Sequence, residues 1–170
     1  MIITLSQAIS LVKQGDVIAL PTDTVWGLAA LPSSQHKIYQ LKGRPSEKPL
    51  ITLISSYDQL PPLPPGTRSL IDKYWPGALT IIPHDKGYRM PNHPLLLDLI
   101  AQTGPIVATS ANLSDTPPLE TPTAIEHAFG PTFPILPSDL PLHGTPSTII
   151  KYSDGQWQTL RQGSIVIPHN

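Results

Sequence analysis

The chain of 170 residues contains no cysteine, which removes disulfides, thiolate nucleophiles and cysteine-bound zinc from consideration. Its six histidines form no HExxH or HxxxH pair, and His84-Asp85 lacks a third ligand, so no metal site is expected. Charge is scarce, at 14% of residues against about 25% in an average domain. A formal net charge of −1 offers no global attraction to a polyanion, so nucleic acid is not the leading partner. No segment approaches the ~18 apolar residues of a membrane span. Met1 to Leu5 run into a helical pattern without a basic and then apolar leader. A cytoplasmic protein with no membrane partner is the expectation. Aromatics are few, at 6%, and Trp26, Trp75 and Trp157 fit core or cleft walls better than a base-stacking platform. The Walker loop, the GxGxxG fingerprint, the GxSxG elbow and a spaced carboxylate pair are all missing, which argues against familiar nucleotide-loop enzymes and serine hydrolases.

The charge that is present clusters. Lys42, Arg44 and Lys48 lie within seven residues and make up three of eleven cations; a solvated loop is the bland reading and an anion grip the sharper one. Twenty-two prolines fall beside periodic segments and not in one block, which indicates stiff loops. One domain, residues 1–170, is expected, burying roughly 70% of its unfolded surface. Periodicity predicts helices over 6–14, 34–41, 67–75, 94–102 and 123–129. Strands are predicted over 16–20, 50–55, 78–82, 106–108, 147–152 and 156–160. Thr123 and Glu126 match a capping box, which predicts Thr123 as a helix cap. The class is α/β with a mixed sheet.

Thr22-Asp23-Thr24 and Thr109-Ser110-Ala111-Asn112 each follow an apolar strand, and ligands of open α/β sheets favour the crevice beyond strand carboxyl ends. Turn chemistry alone would explain either cluster. Their repetition suggests one cleft, where Lys42, Arg44, Lys48, Arg89 and Arg161 would neutralise phosphates or a carboxylate. Such a site, poor in bases, suits phosphoryl or nucleotidyl transfer by positioning and charge stabilisation.

Eight ordered blocks span residues 21 to 163: Pro21-Thr22-Asp23-Thr24-Val25-Trp26-Gly27-Leu28, Lys42-Gly43-Arg44-Pro45, Lys48-Pro49-Leu50, Trp75-Pro76-Gly77-Ala78-Leu79-Thr80, Arg89-Met90-Pro91-Asn92-His93-Pro94, Ser110-Ala111-Asn112, Ser147-Thr148 and Leu160-Arg161-Gln162-Gly163. Together they resemble the YrdC-like threonylcarbamoyl-adenylate synthase family in its short, single-domain form. The resemblance implies a twisted, mixed or mostly antiparallel open sheet flanked by helices, with a central cationic cleft. It implies formation of threonylcarbamoyl-AMP and pyrophosphate from L-threonine, bicarbonate or CO2, and ATP with Mg²⁺. The product would pass to a tRNA threonylcarbamoyltransferase complex for N6-threonylcarbamoylation of adenosine 37, with weak or no direct tRNA binding. By motif matching, Lys42, Arg44, Lys48, Asn112 and Arg161 would bind ATP, Lys42 and Arg44 acting in catalysis. Thr22, Arg89, Ser110 and Ser147 would hold threonine or its carbamate.

This chain departs from the family pattern at several positions. Leu53 stands where longer relatives carry a histidine, Asp115 replaces a common glycine, Trp26 a frequent tyrosine, and the segment between Ile82 and Arg89 is short. A double-stranded RNA or tRNA-binding module is the alternative reading. A carbamoyl-transfer domain of hydrogenase maturation is disfavoured by the absence of zinc-finger cysteines.

Overall fold

Local capping chemistry sets where the helices begin. Thr4 Oγ1 accepts the Gln7 N–H while Gln7 Oε1 accepts the Thr4 N–H, opening α1 (Leu5–Lys13). Its hydroxyl-amide reciprocity satisfies two otherwise orphaned donors. α2 (Gln35–Lys42) closes on Gly43 in the left-handed region, and α3 covers Thr67–Tyr74. Pro94 occupies the first turn of α4 (Pro94–Thr103). α5 (Pro122–Phe129) is capped by Thr121, whose Oγ1 accepts the Ala124 N–H at 3.1 Å. The predicted cap, Thr123, therefore lies inside the helix. Pro122, with its fixed φ and no N–H to satisfy, starts the helix earlier.

The computed structural model describes residues 1–168, and eight strands there form one mixed sheet. They are β1 (Ile18–Leu20), β2 (Gly27–Ala30), β3 (Ile51–Leu53), β4 (Leu79–Ile82), β5 (Gly87–Arg89), β6 (Ile106–Ser110), β7 (Thr148–Ser153) and β8 (Gln156–Arg161). Their order is β1-β2-β6-β3-β5-β4-β7-β8. β3 with β5 and β4 with β7 are parallel, and the other neighbours antiparallel. β2 and β5 are absent from the sequence-based expectation. β2 reads Gly-Leu-Ala-Ala with every residue buried, so it carries no alternation, and β5 has three residues. Neither is rich in β-branched side chains.

Helices cover both faces of the β1, β2 and β6 region. Ile18, Leu20, Ala29, Leu53 and Ile106 join Val12 of α1 and Leu96, Leu99 and Ile100 of α4 in one cluster. The alternate residues Ala19 and Leu28 meet Ile125 of α5, and Ala30 and Val107 meet Ile38 of α2. Burial on both faces is why these strands read as unbroken apolar runs. A second core joins Ile71 and Trp75 to Leu79, Ile81 and Ile150. No helix among the described residues is long and apolar enough to cross a membrane.

Candidate active site

Strand register brings the polar strand ends to one place. Leu20 pairs with Gly27 and Gly27 with Ser110, so the turn at 21–26 lies beside the end of β6. β3 runs antiparallel to β6 with Ile51 opposite Ala108, so the basic loop entering β3 arrives where Ser110 leaves. Farther along the sheet, Leu79 pairs with Thr148 and Ile149 with Arg161, which collects Thr80, Ser147 and Arg161. A cleft of about 390 Å³ joins these regions, within the ~300–1,000 Å³ of small-molecule sites. Thr22, Arg44, Arg89, Ser110, Asn112, Ser147 and Arg161 all line it. Lys42 and Lys48 do not; each sits one contact away from the wall.

Arg89 is 5% exposed and held on three sides. Its Nε donates to Gly77 O at 2.9 Å, Nη1 to Thr24 Oγ1 at 2.8 Å, and Nη2 to the Asp23 carboxylate. Thr22 Oγ1 donates to Val25 O at 2.7 Å and accepts the Thr24 N–H, which folds the turn that presents Asp23 and Thr24. Burial pushes Arg89 below the ordinary guanidinium range, and Asp23 opposes that shift. Arg161 is tied differently: Nε and Nη2 donate to Ser147 O at 3.0 and 2.8 Å, and the Ser147 hydroxyl bonds Thr80 Oγ1 at 2.8 Å. Burial lowers the Arg161 pKa, and the positive charge of Arg89 lowers it further.

A second buried cation stands behind the part of the cleft wall formed by Ser110 and Asn112. Lys42, only 3% exposed, donates Nζ to Ser110 O at 2.5 Å and to Asn112 Oδ1 at 2.9 Å. Asn112 Oδ1 also accepts the Ser110 hydroxyl, and its Nδ2 donates to Thr116 O. Burial, then the charge of Arg44, lower the Lys42 pKa to about 8. Arg44 donates to the Lys48 and Pro49 carbonyls, which leaves guanidinium donors for a ligand. Lys48 pairs with Asp115 at 3.2 Å. Asp115 has φ +62°, the backbone region that explains a glycine at this position.

Several residues of the site were not nominated from the sequence. Asp23 and Thr24, placed in the cleft only as part of a polar cluster, hold Arg89 together with the Gly77 carbonyl, and Thr80 holds Ser147; the partners of Asp23, Thr24 and Thr80 lie 65 or more residues away. Gly163 is another: a Cβ there would overlap the backbone of Pro146 to Thr148. Leu53, at the expected histidine position, is 3% exposed and forms cleft wall and core together.

Arg44, Arg89 and Arg161, with the hydroxyl and amide groups of Thr22, Ser110, Asn112 and Ser147, line one cleft of a mixed-sheet α/β protein. The family model Sua5/YciO/YrdC, described as telomere recombination, matches residues 10–163, and the chain belongs to that family. It is 37% identical over 95% of its length to a threonylcarbamoyl-AMP synthase of Bacillus subtilis, covering 54% of that protein. A protein of the same name from Escherichia coli is 32% identical, with 94% of this chain and 95% of that one aligned. Thus the chain spans about half of the longer relative and nearly all of the shorter. P. abyssi Sua5, crystallised with L-threonine, superposes with a TM-score of 0.87 at 28% identity, covering 96% of this chain and 57% of that one. E. coli YciO shares the fold at 19% identity and a TM-score of 0.80, covering 96% and 95% of the two chains.

Proposed function

We propose that this chain is an L-threonylcarbamoyladenylate synthase, an enzyme that combines L-threonine, bicarbonate or CO2, and ATP into threonylcarbamoyl-AMP and pyrophosphate. Acting in the cytoplasm, it supplies a tRNA threonylcarbamoyltransferase complex that modifies adenosine 37. The observation that carries this reading is one cleft lined by Arg44, Arg89 and Arg161 beside the hydroxyl and amide groups of Thr22, Ser110, Asn112 and Ser147, with Arg89 repelling Arg161 and Arg44 repelling Lys42 behind the wall. A carboxylate beside Arg89 and phosphates beside Arg44 would relieve both repulsions at once. The names of the relatives and the L-threonine complex of P. abyssi Sua5 support the same assignment.

In this reading Arg89, Thr22, Ser110 and Ser147 hold the amino acid, and its methyl group meets the apolar wall of Ile51 and Leu53. Arg44, Lys48, Asn112 and Arg161 hold ATP. Lys42 orients Asn112 and adds positive charge. The threonine amine adds to CO2 and loses a proton to give a carbamate, whose anionic oxygen attacks the α-phosphorus. The bond from that phosphorus to the bridging oxygen breaks, and pyrophosphate leaves with both electrons. Since the nucleophile is already an anion, alignment and shielding of phosphate charge matter more than a protein base. Mg²⁺ enters with ATP. Asp85 is the carboxylate on the cleft wall, and among the described residues no three His, Asp or Glu side chains converge. Such a donor set suits an ion held mainly by phosphate oxygens and water.

Incubation with MgATP, L-threonine and bicarbonate should release pyrophosphate only when threonine is present. Folded protein that releases none, or releases it equally without threonine, would refute the assignment.

A further inference from the structure

Residues 137–147 connect Leu136, whose N–H bonds Ala19 O, to β7 without any helix or strand of their own. Such a segment takes its position from bonds it makes to its surroundings. Its far end carries Pro146 and Ser147 into the cleft wall. In its middle, the His143 N–H donates to Asp23 O at 3.3 Å and the Gly144 N–H to Thr24 O at 2.8 Å. At its near end, Ser138 Oγ accepts the Leu140 N–H at 3.1 Å and lies 3.1 Å from His93 Nε2.

His93 follows Arg89 by four residues in the connection from β5 to α4. These contacts close a circuit: Arg89 holds the Asp23 carboxylate, the Asp23 backbone holds the strap, the strap holds His93, and the chain returns to Arg89. A shift of the strap at Ser138 is therefore felt at the guanidinium. We propose that His93 is a positioning residue that pins this strap and thereby sets how the amino-acid half of the cleft presents Arg89 and Ser147; the ligand named rests on the threonine reading above.

A purely structural role fits the imidazole poorly. His93 is 1% exposed, yet its Nδ1 is buried with no hydrogen-bond partner. An orphaned buried nitrogen costs free energy that an apolar side chain would not incur. Burial lowers the pKa of the ring, and the charge of Asp23 opposes that shift. What the imidazole supplies that methionine cannot is the single bond to Ser138.

The test compares His93→Met, His93→Gln and Ser138→Ala. Threonine and ATP binding are measured by calorimetry, and amide exchange is measured at His143 and Gly144. His93→Met should melt within about 4 °C of wild type while binding L-threonine about tenfold more weakly, the scale of one net hydrogen bond. ATP affinity should fall less than threonine affinity, since Ser147 also carries Arg161, and protection at 143–144 should fall. His93→Gln, which retains a donor, should recover most of the affinity. Should His93→Met fail to fold, Ser138→Ala, which removes the other end of the same bond, carries the same expectations. Wild-type threonine affinity with wild-type protection in the folded variants would overturn the proposal, as would equal loss for both ligands. Absence of threonine binding by the wild type sinks the functional reading instead, while amide exchange still decides whether His93 anchors the strap.

Discussion

Lys42 Nζ reaches across seventy residues of sequence to donate to Asn112 Oδ1 at 2.9 Å. The basic loop and the Ser-Ala-Asn turn are thereby one unit, with the ammonium behind the cleft wall and the amide on it. Because the Lys42 pKa is lowered to about 8 from 10.5, the folded state binds fewer protons here than the unfolded chain between those values. Its contribution to stability therefore rises with pH across that window, and the full penalty of the buried cation is present below it. Under the proposed function, the positive charge that Lys42 offers to phosphate is lost as pH rises through about 8. Nucleotide affinity of the wild type should fall about tenfold between pH 7.5 and 9.5, whereas Lys42→Met should bind weakly with little pH dependence. Parallel profiles for the two proteins would rule this role out.

Asp23 and Arg89 form a buried ion pair whose side chains are 8% and 6% exposed. Removing one partner of such a pair strands the other charge, at a cost of about 3–5 kcal/mol. Asp23→Asn should thus melt well below wild type, and Asp23→Asn combined with Arg89→Met should recover part of the loss. A double variant no more stable than the single one would mean that the pair is not the source of the effect. Arg89→Met alone should lose threonine use more than ATP binding.

Gly163 passes against the backbone of residues 146–148, and its N–H donates to Thr148 Oγ1 at 2.9 Å. A methyl group there forces apart the two segments that join Arg161 to Ser147. Displacement of a positioning group by about 1 Å commonly costs 10²-fold in rate. Gly163→Ala should lose activity on that scale at temperatures where it remains folded. A fully active, folded Gly163→Ala would show that the contact with Ser147 is dispensable.

Asp115 combines a strained backbone, φ +62°, with an exposed ion pair to Lys48. Glycine relieves strain of the order of 1 kcal/mol, and an exposed pair contributes at most about as much. Asp115→Gly should therefore leave stability nearly unchanged, whereas Asp115→Ala should destabilise. Freeing Lys48 should also raise nucleotide affinity severalfold at low salt and less at high salt. Calorimetry at two ionic strengths checks both expectations; weaker binding by Asp115→Gly at low salt would contradict them.

The legible parts of this protein are those whose signal is local. Hydrophobic period located the five helices, although the Pro122 start displaced the expected cap from Thr123 to Thr121. Strand ends rich in hydroxyls marked Thr22 and Ser110 as neighbours in one cleft, which the register of Leu20, Gly27 and Ser110 explains. Illegible were β2 and β5, too short and too uniformly buried to show alternation. Equally hidden were pairings such as Asp23 with Arg89 and Thr80 with Ser147, because nothing in a side chain's neighbours announces a partner 66 or 67 residues away. Ordered motifs recovered the cleft residues, but Lys42 and Lys48 are set back from its wall, a distinction that only packing supplies.

The most direct measurement supplies ¹³C-bicarbonate with MgATP and L-threonine and determines the mass of the adenylate formed. Threonylcarbamoyl-AMP carrying one ¹³C, in equal amount to the pyrophosphate released and absent when L-threonine is omitted, is the expected result. An adenylate of threonine without the labelled carbon, or no adenylate from protein that binds both ligands, would contradict the chemistry assigned to this cleft.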